Sequence, residues 1–169
     1  GNFGKPNAEV TFASKDLSTI ENKVFGKNNG GVQLGDVLQS IGFEGDNAYL
    51  VLNNSNKIEI VNRYTFKKTG TISDQLVNPR YIAISGGNKY VTQNDFFSSR
   101  KLNIYNNANA FVKSIPFDRY AEKVVSAANY VYVQTDGTAY NTTTWLPYPT
   151  GHTITRVNPS TNSVDKTIT

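Results

Sequence analysis

An all-β chain is predicted by three observations: a composition rich in strand and turn formers, a strand-and-turn pattern that repeats along the row, and the lack of a sustained helical period. Of 169 residues, 12% are aromatic and 18% charged, and the polarity comes from 21 Asn and 17 Thr. Thr, Tyr and Phe suit a pleated, half-buried surface. Asn suits turns, because its side chain bonds nearby backbone and tolerates a left-handed φ. A chain this long can bury roughly 70% of its unfolded surface. It needs no staple, and it has no Cys to make one. That absence also excludes thiol catalysis and thiolate metal sites. The charge of +4 is spread along the row without a basic run, so no nucleic-acid partner is expected. No apolar run reaches the roughly 18 residues of a membrane span. The opening Gly1-Asn2-Phe3, without Met, reads as a processed product or a piece of a longer chain.

The elements follow from an internal repeat. Segments 45–54, 87–95 and 128–136 each run from a polar turn into an alternating aromatic and aliphatic stretch. Aligning Tyr49, Tyr90 and Tyr130 gives steps of 41 and 40 residues. A strand precedes each tyrosine strand, over 38–43, 81–85 and 123–126. Another follows it, over 57–65, 101–107 and 152–161, and runs to a turn at Asn62, Asn106 and Asn158. Gly70-Thr71-Ile72, Lys113-Ser114-Ile115 and Lys166-Thr167-Ile168 close the units. Before Gln33, residues 8–13 and 19–25 read as the third and fourth strands of a partial unit, and no helix longer than a turn is expected.

Four strands repeated at roughly 40–50 residues is the pattern of a β-propeller blade. The chain therefore divides into a partial blade, 1–32, and three full blades, 33–72, 73–117 and 118–169, the last with a long loop over 137–151. About three and a half blades do not close a ring in the ordinary way. The chain is expected to be a fragment of a ring of about seven blades, a half-ring completed by a second copy, or a small closed ring of four sheets.

Tyr90-Val91-Thr92-Gln93-Asn94-Asp95, then Leu102-Asn103-Ile104-Tyr105-Asn106 and Val112-Lys113-Ser114-Ile115, resemble the YVTN-type propeller repeat of bacterial surface proteins. Tyr130-Val131-Tyr132-Val133-Gln134-Thr135 is a looser copy. With Gly1-Asn2-Phe3-Gly4, Leu34-Gly35-Asp36-Val37 and Asn78-Pro79-Arg80-Tyr81-Ile82, the chain is similar to the propellers of Bacteroidetes surface lipoproteins, many of unknown function. The resemblance implies an upstream lipobox Cys and a longer parent chain. It also implies a place at the cell surface or in the periplasm. Some relatives capture corrinoids for an outer-membrane transporter.

No catalytic or metal-ligating set is predicted, and no cofactor. The G-x-S-x-G hydrolase motif, the Walker loop and the H-E-x-x-H zinc-protease motif are absent. His152 is the sole imidazole, so histidine clusters are impossible. Asp36, Glu44, Asp46, Asp118 and Glu122 are scattered, and Glu122 reads as a rim acid or an irregular strand start where the other units carry apolar residues. Ligand-binding candidates come from loops held by the rigid blades. In the 137–151 loop, Tyr140, Trp145 and Tyr148 offer flat surface for stacking on a ligand or partner, unless Trp145 folds back onto its own blade. In the preceding unit, Phe96 and Phe97 cannot both face inward, and Arg100 can stack or pair with an anion. Arg80 and Arg119, before first strands, are expected near the channel mouth, where a guanidinium suits carboxylate, phosphate or amide groups. The sequence thus reads as a non-catalytic binding propeller, taking a small molecule such as a corrinoid or a cell-surface or outer-membrane protein. A structural or adhesion docking module is the alternative, and a propeller lyase or lactonase is the least supported. A homodimer through open propeller edges is a further expectation.

Overall fold

Three hairpin-linked meanders follow one another along the chain. The computed structural model describes residues 2–95 and 99–169. The first meander holds β3 (Leu38–Glu44), β4 (Asn47–Leu52), β5 (Lys57–Asn62) and β6 (Lys68–Ile72). The second holds β7 (Pro79–Ser85), β8 (Asn88–Asn94), β9 (Arg100–Tyr105) and β10 (Phe111–Pro116). The third holds β11 (Tyr120–Ala127), β12 (Tyr130–Tyr140), β13 (Pro147–Asn158) and β14 (Ser163–Ile168). Each is a four-stranded antiparallel sheet in sequence order. The outer turn of each blade is built on the expected asparagine. Asn62, Asn106 and Asn158 each accept backbone N–H bonds through Oδ1, at 2.9–3.0 Å.

The N-terminal unit departs from expectation. Instead of long strands it has two short ones, β1 (Phe12–Ala13) and β2 (Ile20–Glu21), and residues assigned to a strand form α1 (Val24–Asn28). The helix buries Val24 and Phe25. Asn29 fastens its end to the first blade, donating to Phe25 O at 2.8 Å and Phe66 O at 2.9 Å and accepting from Lys68 N at 2.8 Å. Tertiary packing of a short apolar pair outweighs the strand propensity of this stretch.

The cores lie between units. Successive residues of a strand point to opposite faces, and both faces of the first blade are covered. Ala48, Leu50, Leu52 and Val61 pack against Ala8 and Phe25 of the N-terminal unit and against Leu34, which precedes β3. Tyr49, Val51, Ile58, Ile60 and Ile72 pack against Ile82, Val91 and Tyr105 of the second blade. Tyr90, Leu102, Ile104 and Ile115 of the second blade then meet Ala121, Val124, Val131, Val133 and Val157 of the third. Sheets stacked face to face in chain order are the blades of a partial propeller.

Strand pairing corrects the phase of the repeat. Tyr49 pairs with Gly42, Tyr90 with Ala83, and Val125 with Tyr132, not Tyr130. The equivalent tyrosines are Tyr49, Tyr90 and Tyr132, so the steps are 41 and 42 residues. Tyr130 sits instead at the turn-proximal position, opposite Ala127. The 137–151 segment is also not a loop. β12 and β13 continue pairing through Thr138↔Pro149 and Tyr140↔Pro147, so the hairpin is a paired arm.

Candidate functional site

Each first strand carries a β-bulge at the same register position. Gln39 is the extra residue between Leu38↔Leu52 and Ser40↔Val51. In the second blade Arg80 and Tyr81 span the step between Pro79↔Gln93 and Ile82↔Val91. In the third, Glu122 and Lys123 span the step between Ala121↔Thr135 and Val124↔Val133. A bulge locally breaks the ladder and re-aims side chains, and is frequent beside functional sites. Here it turns Gln39, Arg80 and Glu122 into one row across three blades.

The row is hydrogen-bonded throughout. Arg80 Nη1 donates to Gln39 Oε1 at 3.2 Å, and Arg80 Nε donates to Glu122 Oε2 at 3.2 Å. Asn94 Nδ2 donates to Glu122 Oε1 at 2.6 Å, so both carboxylate oxygens are engaged. The Arg80 and Glu122 side chains are 29% and 20% exposed, sheltered enough for their pairing to matter more than that of a rim pair. Backbone is locked alongside: Ser40 Oγ donates to Arg80 O at 2.8 Å, and Thr92 Oγ1 to Glu122 O at 2.7 Å. Tyr81 and Lys123, one residue on from Arg80 and Glu122, are joined to this row. Gln39 Nε2 donates to Tyr81 OH at 3.3 Å, and Lys123 Nζ stands 3.9 Å above the Tyr81 ring.

The first row opens onto a cavity of about 210 Å³ lined by Arg80, Asn94, Tyr120, Glu122, Asp136, Thr138 and Tyr140. Asp136 Oδ1 lies 2.9 Å from His152 Nδ1 and accepts from Gln134 Nε2 at 3.0 Å. Fixed planar donors and acceptors beside two tyrosines suit recognition of a polar group with flat surface. A larger cavity, about 470 Å³, lies between α1 and the β5–β6 turn. None of the described residues among the predicted site lines it, and the repeated bulges are elsewhere. Among the described residues no group of three or more His, Cys, Asp or Glu side chains could hold a metal ion.

The predicted site residues scatter over this end. Arg80 and Tyr140 line the 210 Å³ cavity. Arg100 is spent on structure: it stacks 4.5 Å from the Tyr120 ring and donates to Asp118 O at 3.2 Å. Arg119 braces the foot of the arm, donating from Nη1 to Thr150 O at 3.2 Å and Gly151 O at 3.0 Å. Tyr148 and Trp145 lie on the arm, and Trp145 does not fold back; it is 75% exposed. Phe96 and Phe97 lie outside the described residues. Sequence reasoning missed Gln39, Asn94 and Asp136, and it read Glu122 only as a rim acid or an irregular strand start, not among the predicted site residues. Glu122 does not replace an apolar residue; it follows Gln39 and Arg80 in register. A polar residue 10 positions before Tyr49, Tyr90 and Tyr132 was the available signal, masked by the slipped tyrosine alignment.

The stacked, four-stranded blades define the chain as part of a β-propeller. No protein-family model matches the sequence, and no curated protein matches it. Solved propeller structures do resemble the fold. A chain of the nidogen–laminin complex is similar at TM-score 0.61 and 13% identity, over 95% of this chain and 55% of that one. Hydrazine synthase of Kuenenia stuttgartiensis is similar at TM-score 0.58 and 16% identity, over 73% of this chain and 32% of that one. The WD40 domain of Neurospora crassa Pan2 is similar at TM-score 0.56 and 12% identity, over 78% of this chain and 35% of that one. This chain thus spans between about a third and just over half of these structures.

Proposed function

We propose that the chain is the binding part of a non-catalytic β-propeller, with its ligand or partner held at the end of the blades that carries the bulges. The observation that supports this is the Gln39–Arg80–Glu122–Asn94 row, bonded across three blades and open to a cavity. The resemblance to surface lipoproteins gives the finer form of the reading: a cell-surface or periplasmic protein that captures a corrinoid. A second reading, a protein-docking or adhesion module, draws on the likeness to a chain of the nidogen–laminin complex. In either reading, further blades or a second copy would cover the apolar face of the third blade.

Calorimetric titration with cobinamide and cobalamin tests the finer form. Saturable binding to the natural chain, weakened at least about tenfold (~1.4 kcal/mol) by Arg80→Ala, is the expected result. Far-UV circular dichroism should stay unchanged. Corrinoid binding that ignores Arg80→Ala and Glu122→Ala would place the site elsewhere. No binding of either corrinoid would reject corrinoid capture and leave the docking module.

A further inference from the structure

The arm of the third blade has features that neither the blades nor the cavity account for. β12 and β13 are 11 and 12 residues long, against six and six for β4 and β5. β11 stops pairing at Tyr120↔Asp136, and β14 at Ile154↔Ile168. Beyond Asp136 and His152 the hairpin therefore runs on for about 15 Å, at the usual rise per residue, with no strand paired to either edge. Residues 137–155 contain no Asp, Glu, Lys or Arg.

The tip repeats a turn found elsewhere in the chain. In the first blade, Asn62 N donates to Lys67 O, Phe66 N donates to Asn62 O, and Asn62 Oδ1 accepts from the N–H groups of Tyr64 and Thr65. In the arm, Asn141 N donates to Leu146 O at 3.0 Å and Trp145 N to Asn141 O at 2.8 Å, and Asn141 Oδ1 accepts from Thr143 N and Thr144 N, both at 2.9 Å. Phe66 and Trp145 hold the same place in the turn, at φ 56° and 57°. Phe66 packs against the first-blade core. Trp145 is 75% exposed and Leu146 65% exposed, with no core beneath them.

We propose that this tip inserts into the interfacial layer of a lipid bilayer, with Trp145 and Leu146 as the inserted residues. Three observations favour lipid over a protein pocket. The N–H groups of Asn141, Thr143, Thr144, Trp145 and Leu146 are paired within the turn, and Pro147 and Pro149 have none, so few backbone donors need water. The stretch is free of charge, which lowers the cost of leaving water. The side chains are also graded along the arm: Trp145 and Leu146 at the end, Tyr140 and Tyr148 behind them, Arg119 at the foot. That is the order in which a membrane interface accepts apolar, amphipathic and cationic groups. The chain's charge of +4 adds attraction to anionic lipid.

Trp145 is the only tryptophan, so its fluorescence reports directly. The intact chain is titrated with vesicles of phosphatidylcholine, alone and with a quarter phosphatidylglycerol, and with the same vesicles brominated on the acyl chains. Insertion predicts a blue shift that saturates with lipid, quenching by shallow bromines, and several-fold less co-sedimentation for Trp145→Ala. Trp145→Ala should leave the unfolding temperature unchanged, because the residue is 75% exposed and belongs to no core cluster. Three results would overturn the proposal. One is no shift with either vesicle. Another is co-sedimentation that Trp145→Ala leaves unchanged, or that added salt abolishes without any bromine quenching having been seen. The third is a blue shift that follows protein concentration without lipid, which would mean that the tip docks on a second copy.

Discussion

Gly42 shows how closely the blades approach. A Cβ on Gly42 would sit 2.6 Å from Ile82 Cγ2 in the next blade. The same register position holds Ala83 in the second blade, buried against the third, and Val125 in the third, where it is exposed. Side-chain size at this position thus follows what lies over it. Gly42→Ala should destabilise the chain by about 1–3 kcal/mol, the usual cost of overpacking, read as a fall in the urea midpoint. Glu59 is the other instructive residue. Burial alone would raise its pKa, but bonds from Lys57, Lys68 and Thr71 outweigh it and hold the carboxyl below its ordinary 4.5. A depressed carboxyl stabilises the fold in full above the unfolded pKa and loses that contribution as pH falls through the folded one. Stability should therefore drop below about pH 4.5. Glu59→Gln should be less stable at pH 7 and show a flatter acid limb in denaturant titrations run across pH. At this scale the sequence was only partly legible. Arg80 could be singled out because arginine before a first strand is conspicuous. Glu122 could be read only as a rim acid or an irregular strand start, because taking Tyr130 for Tyr132 moved it out of line with Arg80 and Gln39.

Among elements, the central strands carry a buried polar position that strand patterning alone does not require. Glu59, Asn103 and Thr155 are equivalent in register and all buried. Asn103 Nδ2 donates to Gln75 O at 2.8 Å, and Tyr105 OH to Asp74 O at 2.7 Å, so β9 holds the connector between the first two blades. Burial pushes the Tyr105 hydroxyl up to about 12, which keeps it a donor well into alkaline pH. Tyr105→Phe should cost about 0.5–1.5 kcal/mol, the net worth of one hydrogen bond, measured by thermal unfolding. The alternating Ile58/Ile60 and Leu102/Ile104 made these strands readable, since period two is the strand's own signature. The arm was not readable. Gly137, Gly151, Pro147 and Pro149 are turn residues by local chemistry, yet prolines are tolerated on strands free of an outer partner, as here.

For the whole molecule, burial follows position in the stack. The first two blades are covered on both faces, while Val125, Ile154 and Ile168 of the third blade are exposed. Their counterparts Ile58 and Ile72 in the first blade, and Leu102 and Ile115 in the second, are buried. An apolar sheet face of this kind drives association. Sedimentation velocity should show the chain self-associating as its concentration rises, and Ile154→Ser with Ile168→Ser should suppress it. The blade count and the stacking were legible because the repeat is long-range and tolerates a slip of two residues. Side-chain geometry at the bulges was not, because a one-residue insertion leaves no mark in a period-two pattern. The account rests on those bulges joining three blades into one preorganised row. A double-mutant cycle on Arg80→Ala and Glu122→Ala, followed by equilibrium denaturation, tests that most directly. Coupling of about 1–3 kcal/mol is predicted for a sheltered, networked pair; effects that add to within about 0.5 kcal/mol would contradict it.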